Sequence, residues 1–336
     1  MFLRLLTQKK GGGMIEQWKK AVIHLECAAD SEHMYDRDKR INELREKLDK
    51  DEISHDEYLE QSRNNGRDIR IYGTAIFIIH NKKRYLLTAR HVLFDERSAK
   101  REAQEDVTRH ESFPQHMRDF LLAESNERNL NRIFNIIFRV PSLDEALTVK
   151  DFEETTFLMN LGAGPSMSLP YTFSSPDLDL ALISLDQRDK DFADELIARG
   201  YIPIPSELIS DGPSSEGAEV FSVGFPGATS LIAQINQHPA SAHWSSSYVS
   251  LPVFSWGRVS MLHSQLPFYW CDMSIYPGNS GGPLIENGKL VGIVSAQATL
   301  PIEGIPQVRA RIPFGKIIKT GFVKKLFEEQ DIKDQR

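Results

Sequence analysis

The sequence predicts an all-β protein carrying helical insertions, and three observations lead there. Apolar, β-branched runs of strand length recur at residues 72–79, 85–92, 180–185, 220–225 and 291–298, many flanked by Gly, Pro, Asn or Asp turn signals. The period changes in two long stretches, 30–70 and 95–130, where charge is dense and apolar residues are spaced as in helices or are sparse. A chain of 336 residues is long enough to bury a sizeable core around such strands.

Residues 1–13 start with the short apolar piece Met1-Phe2-Leu3-Arg4-Leu5-Leu6 and pass at once into Lys9-Lys10-Gly11-Gly12-Gly13. This reads as a disordered leader, or as translation upstream of Met14. It lacks the apolar run and small-residue cleavage site of a signal peptide, and no later stretch is long enough to span a bilayer, so the expectation is a cytoplasmic protein. Residues 14–29 begin with a helical turn and become a first strand through Ala21-Val22-Ile23-His24-Leu25-Glu26-Cys27.

Between 30 and 70, Ile41, Leu44 and Leu48 fall at i, i+3 and i+7, and Ile53, Tyr58 and Leu59 begin a second stripe behind the capping box Ser54-His55-Asp56-Glu57. A charged helical hairpin is expected there, read either as solvated decoration or as a docking site for a regulatory protein partner. Asn81-Lys82-Lys83 turns one strand into the next. The second insertion, 95–130, reads as helix or mobile loop; it hangs from the segment of His91, where a lid would sit. Strands resume at 133–140 and 148–157 and finish near Leu185, closing an N-terminal unit of 14–188. A helix or turn over 190–199 leads into a C-terminal unit of 189–336, with strands at 291–298 and 307–312 and an amphipathic helix over 313–329.

The segment Tyr276-Pro277-Gly278-Asn279-Ser280-Gly281-Gly282-Pro283-Leu284 carries the chemistry. Glycines on both sides of Ser280 allow backbone conformations that side chains forbid, so the N–H groups of Gly278 and Ser280 can converge on one oxyanion. A serine hydroxyl needs a base. His91 ends the run Tyr85-Leu86-Leu87-Thr88-Ala89-Arg90-His91, where a strand gives way to a turn and an imidazole can project into a cleft. The other nine histidines lack such a setting; His24, on an apolar strand, is expected inside or at an edge. The carboxylate that orients the base comes from Ser174-Ser175-Pro176-Asp177-Leu178-Asp179-Leu180-Ala181-Leu182-Ile183. An aspartate leading into so apolar a strand wants a partner, which favours Asp179 over Asp177.

The order His91, Asp179, Ser280, with Thr-Ala-x-His, Asp-Leu-Ala-Leu and Gly-Asn-Ser-Gly-Gly-Pro around them, resembles the trypsin-like, chymotrypsin-fold serine proteases. Within that fold the motifs look most like those of the Deg/HtrA group and its bacterial single-domain relatives. Val220-Phe221-Ser222-Val223-Gly224-Phe225-Pro226-Gly227 and Ser255-Trp256-Gly257-Arg258-Val259-Ser260 are similar to two strands of that group, and Asp272 matches a position the group commonly fills with Asp. The resemblance implies two six-stranded antiparallel β-barrels with the active site between them and a C-terminal helix. Such a pair occupies roughly 200–230 residues, and the insertions make up the difference. No PDZ module is expected after the terminal helix, a departure from the Deg/HtrA arrangement.

The same resemblance implies a His-Asp-Ser triad acting through an acyl-enzyme, and an oxyanion hole from the N–H groups of Gly278 and Ser280. Asn279 stands where digestive relatives place the aspartate that receives a freed N-terminus, so no such activation is expected. Ser274 takes the position at the base of the primary pocket, and its lack of charge points to a small or apolar residue before the scissile bond. Ser295, Ala296 and Gln297 match the strand that pairs with the substrate, with Gln297 narrowing or capping the pocket.

Composition excludes several alternatives. Forty Lys and Arg against 47 Asp and Glu give a net charge of −7 and no basic footprint for nucleic acid or an anionic membrane. The two cysteines, Cys27 and Cys271, form no disulfide framework and have no metal-ligand spacing; neither metal nor cofactor is expected, and Cys271 reads as a buried thiol or a redox switch. A protein or peptide substrate is expected, with limited cleavage of a specific partner. Two rival readings stay open: a latent, partner-activated protease or pseudoprotease whose insertions are the functional part, and an esterase or transferase using the same triad.

Overall fold

The computed structural model describes residues 12–29, 34–62, 69–94, 104, 108, 111–129, 132–133, 135–139, 156–158, 164–165, 171–188, 190–234 and 248–335. The expected leader, except its last two residues, the first part of the charged insertion apart from residues 104 and 108, and the first part of the expected strand at 148–157 lie outside them. In chain order, helix α1 (Gly12–Ala21) leads into strand β1 (Val22–Ala29), and the helices α2 (Met34–Asp49) and α3 (His55–Ser62) precede β2 (Ile69–His80) and β3 (Lys83–Ala89). The short helix α4 (Arg90–Leu93) and helix α5 (Gln115–Asn129) follow, then β4 (Asn135–Arg139), β5 (Thr156–Leu158), β6 (Tyr171–Phe173) and β7 (Leu180–Ser184). Helix α6 (Lys190–Ala198) and β8 (Ile204–Pro205) connect to β9 (Glu219–Gly224), β10 (Val253–Met261), β11 (Phe268–Asp272), β12 (Pro283–Glu286), β13 (Lys289–Ile302), β14 (Ile305–Lys319) and helix α7 (Gly321–Lys333).

The C-terminal strands close into a six-stranded barrel in the order β9-β10-β11-β14-β13-β12. In the N-terminal half an eight-stranded sheet runs β5-β4-β1-β2-β3-β7-β6, with β8 pairing β2 in parallel; among the described residues its ladder does not return on itself. The β2–β3 hairpin turns through Asn81 and Lys82 at φ 48° and 65°, the left-handed pair that matches the twist of the flanking strands. The helical hairpin expected between the first two strands is present. Its second helix is capped as the sequence implies, with the Ser54 N–H and hydroxyl donating to Glu57 Oε2 at 2.8 and 2.9 Å and Glu57 N–H donating back to Ser54 Oγ at 3.2 Å.

One expectation is corrected. Residues 313–319 continue β14 rather than starting the terminal helix, because Ile317 and Ile318 pair with Tyr269 and Phe268 of β11 and are buried in the barrel wall. The helix begins only after Thr320. It then folds back on the N-terminal sheet: the Phe327 ring meets Tyr85 edge-on at 5.3 Å, and the Tyr85 hydroxyl donates to Asp334 Oδ2 at 2.9 Å.

Apolar side chains gather in three clusters. One lies within the N-terminal sheet around Leu25, Phe77, Leu86 and Phe192, and one inside the barrel around Tyr269, Val294 and Ile317. The third joins the halves, combining Trp18, Tyr85 and Leu87 with Phe221, Val223, Ile293 and Phe327. Burying these surfaces together makes the interface between the halves as dry as either core.

His24 of β1 sits at this junction, 7 % exposed, stacked on Tyr72 at 5.8 Å and tilted against Phe225 at 5.1 Å. Burial pushes its imidazole down from 6.5 to about 4. The unfolded chain takes up a proton as pH falls below 6.5 and the folded one resists until about 4, so this stability is full above pH 6.5 and is lost toward pH 4. Urea unfolding at pH 7 and at pH 4.5 should show a loss of about 2 kcal/mol from this group, and a His24→Phe variant should lose correspondingly less.

Candidate active site

Asp179 ends a tight turn that the sequence builds from hydroxyls and backbone. Leu178 and Asp179 N–H both donate to Ser175 O at 3.1 Å, and Ser174 Oγ accepts from Leu180 N–H at 2.8 Å. The turn leaves Asp179 at φ 50°, a left-handed conformation that aspartate tolerates better than most residues. Its carboxylate is thereby turned away from β7 toward α4.

His91 lies on α4, which is tied to the same residue because Arg90 N–H donates to Asp179 O at 3.1 Å. The His91 N–H donates to Asp179 Oδ1 at 2.9 Å, and imidazole Nδ1 lies 2.8 Å from Oδ2 and 3.0 Å from Oδ1. With Nδ1 carrying the proton into this bond, Nε2 is the ring nitrogen whose lone pair can accept one. Ser295 of β13 reaches the same carboxylate, its hydroxyl donating to Oδ2 at 2.5 Å. Sequence reading assigns Ser295 to the substrate strand; its side chain is occupied by Asp179. Asp177 is exposed, two residues from this network.

Ser280 is part of the same cluster. Its hydroxyl donates to Ser295 O at 3.3 Å, and no hydrogen bond between Ser280 Oγ and His91 is found among the described residues. The turn around it leans on the N-terminal sheet. Thr74 N–H donates to Ser280 O at 2.8 Å, and Gly281 N–H to Val294 O at 2.7 Å. Gly278 has φ 103°, and a Cβ there would stand 2.1 Å from Phe225 O; Gly281 has φ 84°, and a Cβ there would meet Thr88 Oγ1 at 2.1 Å. Side chains at either position would push the turn off its seat. Among the described residues neither the Gly278 nor the Ser280 N–H has an acceptor within the protein.

Thr74 is a residue that motif reading misses. Its hydroxyl donates to Gly278 O at 2.7 Å and accepts from Phe225 N–H at 3.1 Å. Engaging the Gly278 carbonyl fixes the neighbouring peptide planes of the Gly-rich turn. A threonine within a strand carries no local signal of such a role.

The expected primary-pocket residues are more dispersed. Ser274 is exposed after β11, Ala296 is exposed on β13, and Gln297 spans to β14, its amide donating to Ile312 O at 3.1 Å. Asn279 is buried, 1 % exposed, with neither end of its amide hydrogen-bonded among the described residues. Both cysteines are free and buried, and burial pushes the Cys271 thiol up to about 12, which keeps it protonated and unreactive rather than redox-active. Among the described residues no cluster of His, Cys, Asp and Glu is suited to a metal ion, and no helix is long and apolar enough to cross a membrane.

Replacing Thr74 by the isosteric Val removes both hydroxyl bonds and leaves two buried backbone groups with poorer partners. Steady-state kinetics should show kcat reduced about ten- to hundredfold with KM little changed, the pattern of an interaction used in the transition state.

The trypsin-like peptidase domain family matches residues 73–293, the greater part of the chain. No curated protein matches the chain in sequence. Among solved structures it is similar to the thermostable serine protease AL20 from an extremophilic microorganism, at 10 % identity and a TM-score of 0.44 over 93 % of this chain and 98 % of that one. It is also similar to protease Anisep from Arthrobacter nicotinovorans, at 11 % identity and a TM-score of 0.43 over 93 % and 95 % of the two chains. The tobacco vein mottling virus protease matches at 12 % identity and a TM-score of 0.39 over 90 % and 78 %. With two thirds of its length matched, and His91, Asp179 and Ser280 all inside the match, the chain belongs to the family of trypsin-like peptidase domains, the serine endopeptidases.

Proposed function

We propose that Ser280, His91 and Asp179 are the nucleophile, base and orienting acid of this endopeptidase, and that it makes limited cuts in a particular protein rather than digesting proteins in bulk. The observation that carries the reading is the Asp179 carboxylate, which engages the imidazole of His91 and the hydroxyl of Ser295 while Ser280 donates to the carbonyl of that same Ser295. Ser295 thus stands between them, its carbonyl engaged by the nucleophile and its hydroxyl by the acid that holds the base.

In this mechanism Ser280 Oγ leaves Ser295 O by rotation about its Cα–Cβ bond, while its backbone stays held by Thr74. Hydrogen bonds of this kind tighten when substrate arrives. Oγ then attacks the scissile carbonyl carbon as His91 Nε2 takes its proton, and Asp179 stabilises the imidazolium. The carbonyl oxygen becomes an oxyanion facing the Gly278 and Ser280 N–H groups. His91 returns the proton to the leaving amine, and water, deprotonated by the same imidazole, hydrolyses the acyl-enzyme. The substrate adds along Ser295, Ala296 and Gln297 as an extended strand, with Ser274 and Gln297 on the side of the residue preceding the cut.

A second reading, a latent protease switched on by a partner, is favoured by α5. That helix and its approach expose Phe113, Met117 and Phe120, the last by 63 %, on the insertion that follows the base. A cytoplasmic setting, where thiols stay reduced, suits the free state of both cysteines.

Incubation of wild-type protein with a diverse peptide library, read by mass spectrometry, should reveal cuts that Ser280→Ala loses by a factor on the order of 10⁶ in rate. Cuts that persist in the variant would contradict the assignment, and silence from the wild type alone, relieved by an added partner, would select the latent reading. Asn279 is neutral and buried beside the oxyanion turn, so it offers no carboxylate to a newly freed N-terminus. Protein with an uncut N-terminal extension should therefore show the same kcat/KM as protein trimmed before residue 12; activity only after trimming would refute this point.

A further inference from the structure

We infer that the cleft beside His91 is a subsite for an acidic side chain of the substrate, held by the ammonium of Lys316. This deepens the protease reading above and rests on it. The cleft has a volume of about 460 Å³, and its lining includes His91 and Ser295 together with Pro176, Asp177, Phe268 and Lys316. It therefore opens directly from the residues assigned to the reaction.

Lys316 stands directly opposite Ala296 across the β13–β14 ladder and opposite Trp270 of β11. Residues opposed in this way present their side chains on one face of the sheet. Ala296 supplies only a methyl group there, so the substrate-pairing strand leaves the lysine uncovered. The Lys316 ammonium lies 4.8 Å from the centroid of the Phe268 ring, a cation–π contact that holds it against the cleft wall. Elsewhere lysines meet acids, as Lys83 does with Asp334 at 2.9 Å and Lys324 with Asp211 at 2.5 Å. Among the described residues no carboxylate pairs with Lys316.

The acids of the cleft do not answer this charge. Asp179 is engaged by His91 and Ser295, and Asp177 is exposed on the Pro176 wall. A carboxylate arriving with the substrate would complete the site through a charge-assisted hydrogen bond. Side chains of an extended peptide alternate between its two faces. With the residue before the scissile bond facing Ser274 and Gln297, the second and fourth residues before it face His91 and the cleft. The inferred substrate therefore carries Asp or Glu at one of those two places.

The test uses pairs of cleavable peptides that differ only in Glu, Gln or Lys at the second or the fourth position before the cut. Wild-type enzyme should favour Glu over Gln by about tenfold in kcat/KM at one of them. Lys316→Gln should bring that ratio close to one, and Lys316→Glu should invert it in favour of the Lys peptide, a gain that misfolding cannot produce. Equal Glu-to-Gln ratios in wild type and Lys316→Gln would overturn the subsite while leaving the protease reading intact. Failure of the wild type to cut any of the peptides, or equal cutting by Ser280→Ala, would overturn that reading and this one with it.

Discussion

The two oxygens of Asp179 accept from donors that belong to both halves of the molecule: the backbone and imidazole of His91 from the N-terminal side and the hydroxyl of Ser295 from the barrel. A carboxylate this deeply placed, 9 % exposed, costs several kcal/mol if left without partners. Satisfying it fixes three things at once. The turn after Ser175 must hold φ 50° at Asp179, α4 must present two donors from one residue, and β13 must dock in the register that brings Ser295 across. The energetic demand of one buried charge thus dictates how the sheet and the barrel meet.

A second interlock at the same junction is made of backbone. Gly278 and Gly281 have no room for a Cβ because Phe225 O and Thr88 Oγ1 already fill those places, and Thr74 ties the turn to β2 through both its N–H and its hydroxyl. The serine is therefore carried by one half and braced by the other. An apolar seam running from Trp18 through Leu87 to Ile293 and Phe327 lies beneath and resists relative movement of the halves. Rigidity from packing and direction from hydrogen bonds together hold the donors of this turn in place around the cleft.

Much of this is legible in the chain because its determinants are local. The Gly-rich turn, the strand end at His91, the hairpin at Asn81-Lys82, the capping box at Ser54 and the helical spacing of Ile41, Leu44 and Leu48 each depend on residues within a few positions of one another. Preference for Asp179 over Asp177 also follows locally, since only Asp179 adjoins the apolar strand. What escapes sequence reading is long-range. Ser295 serves Asp179, and Thr74 serves Gly278, across 116 and 204 residues, and nothing in either neighbourhood signals it. The end of β14 is misjudged for a related reason: Ile317, Ile318, Phe322, Val323, Leu326 and Phe327 run together at helix-compatible spacing, and only the pairing of the first two with β11 shows that the helix starts after Thr320. Strand neighbours in the N-terminal sheet are likewise chosen by tertiary pairing rather than by local pattern.

The most direct measurement of the central claim is a crystal structure of the protein after reaction with a fluorophosphonate. The account predicts a single adduct on Ser280 Oγ, a phosphonyl oxygen within hydrogen-bond distance of the Gly278 and Ser280 N–H groups, and His91 still bonded through Nδ1 to Asp179. An unmodified Ser280, or an adduct whose oxygen points away from that turn, would contradict it.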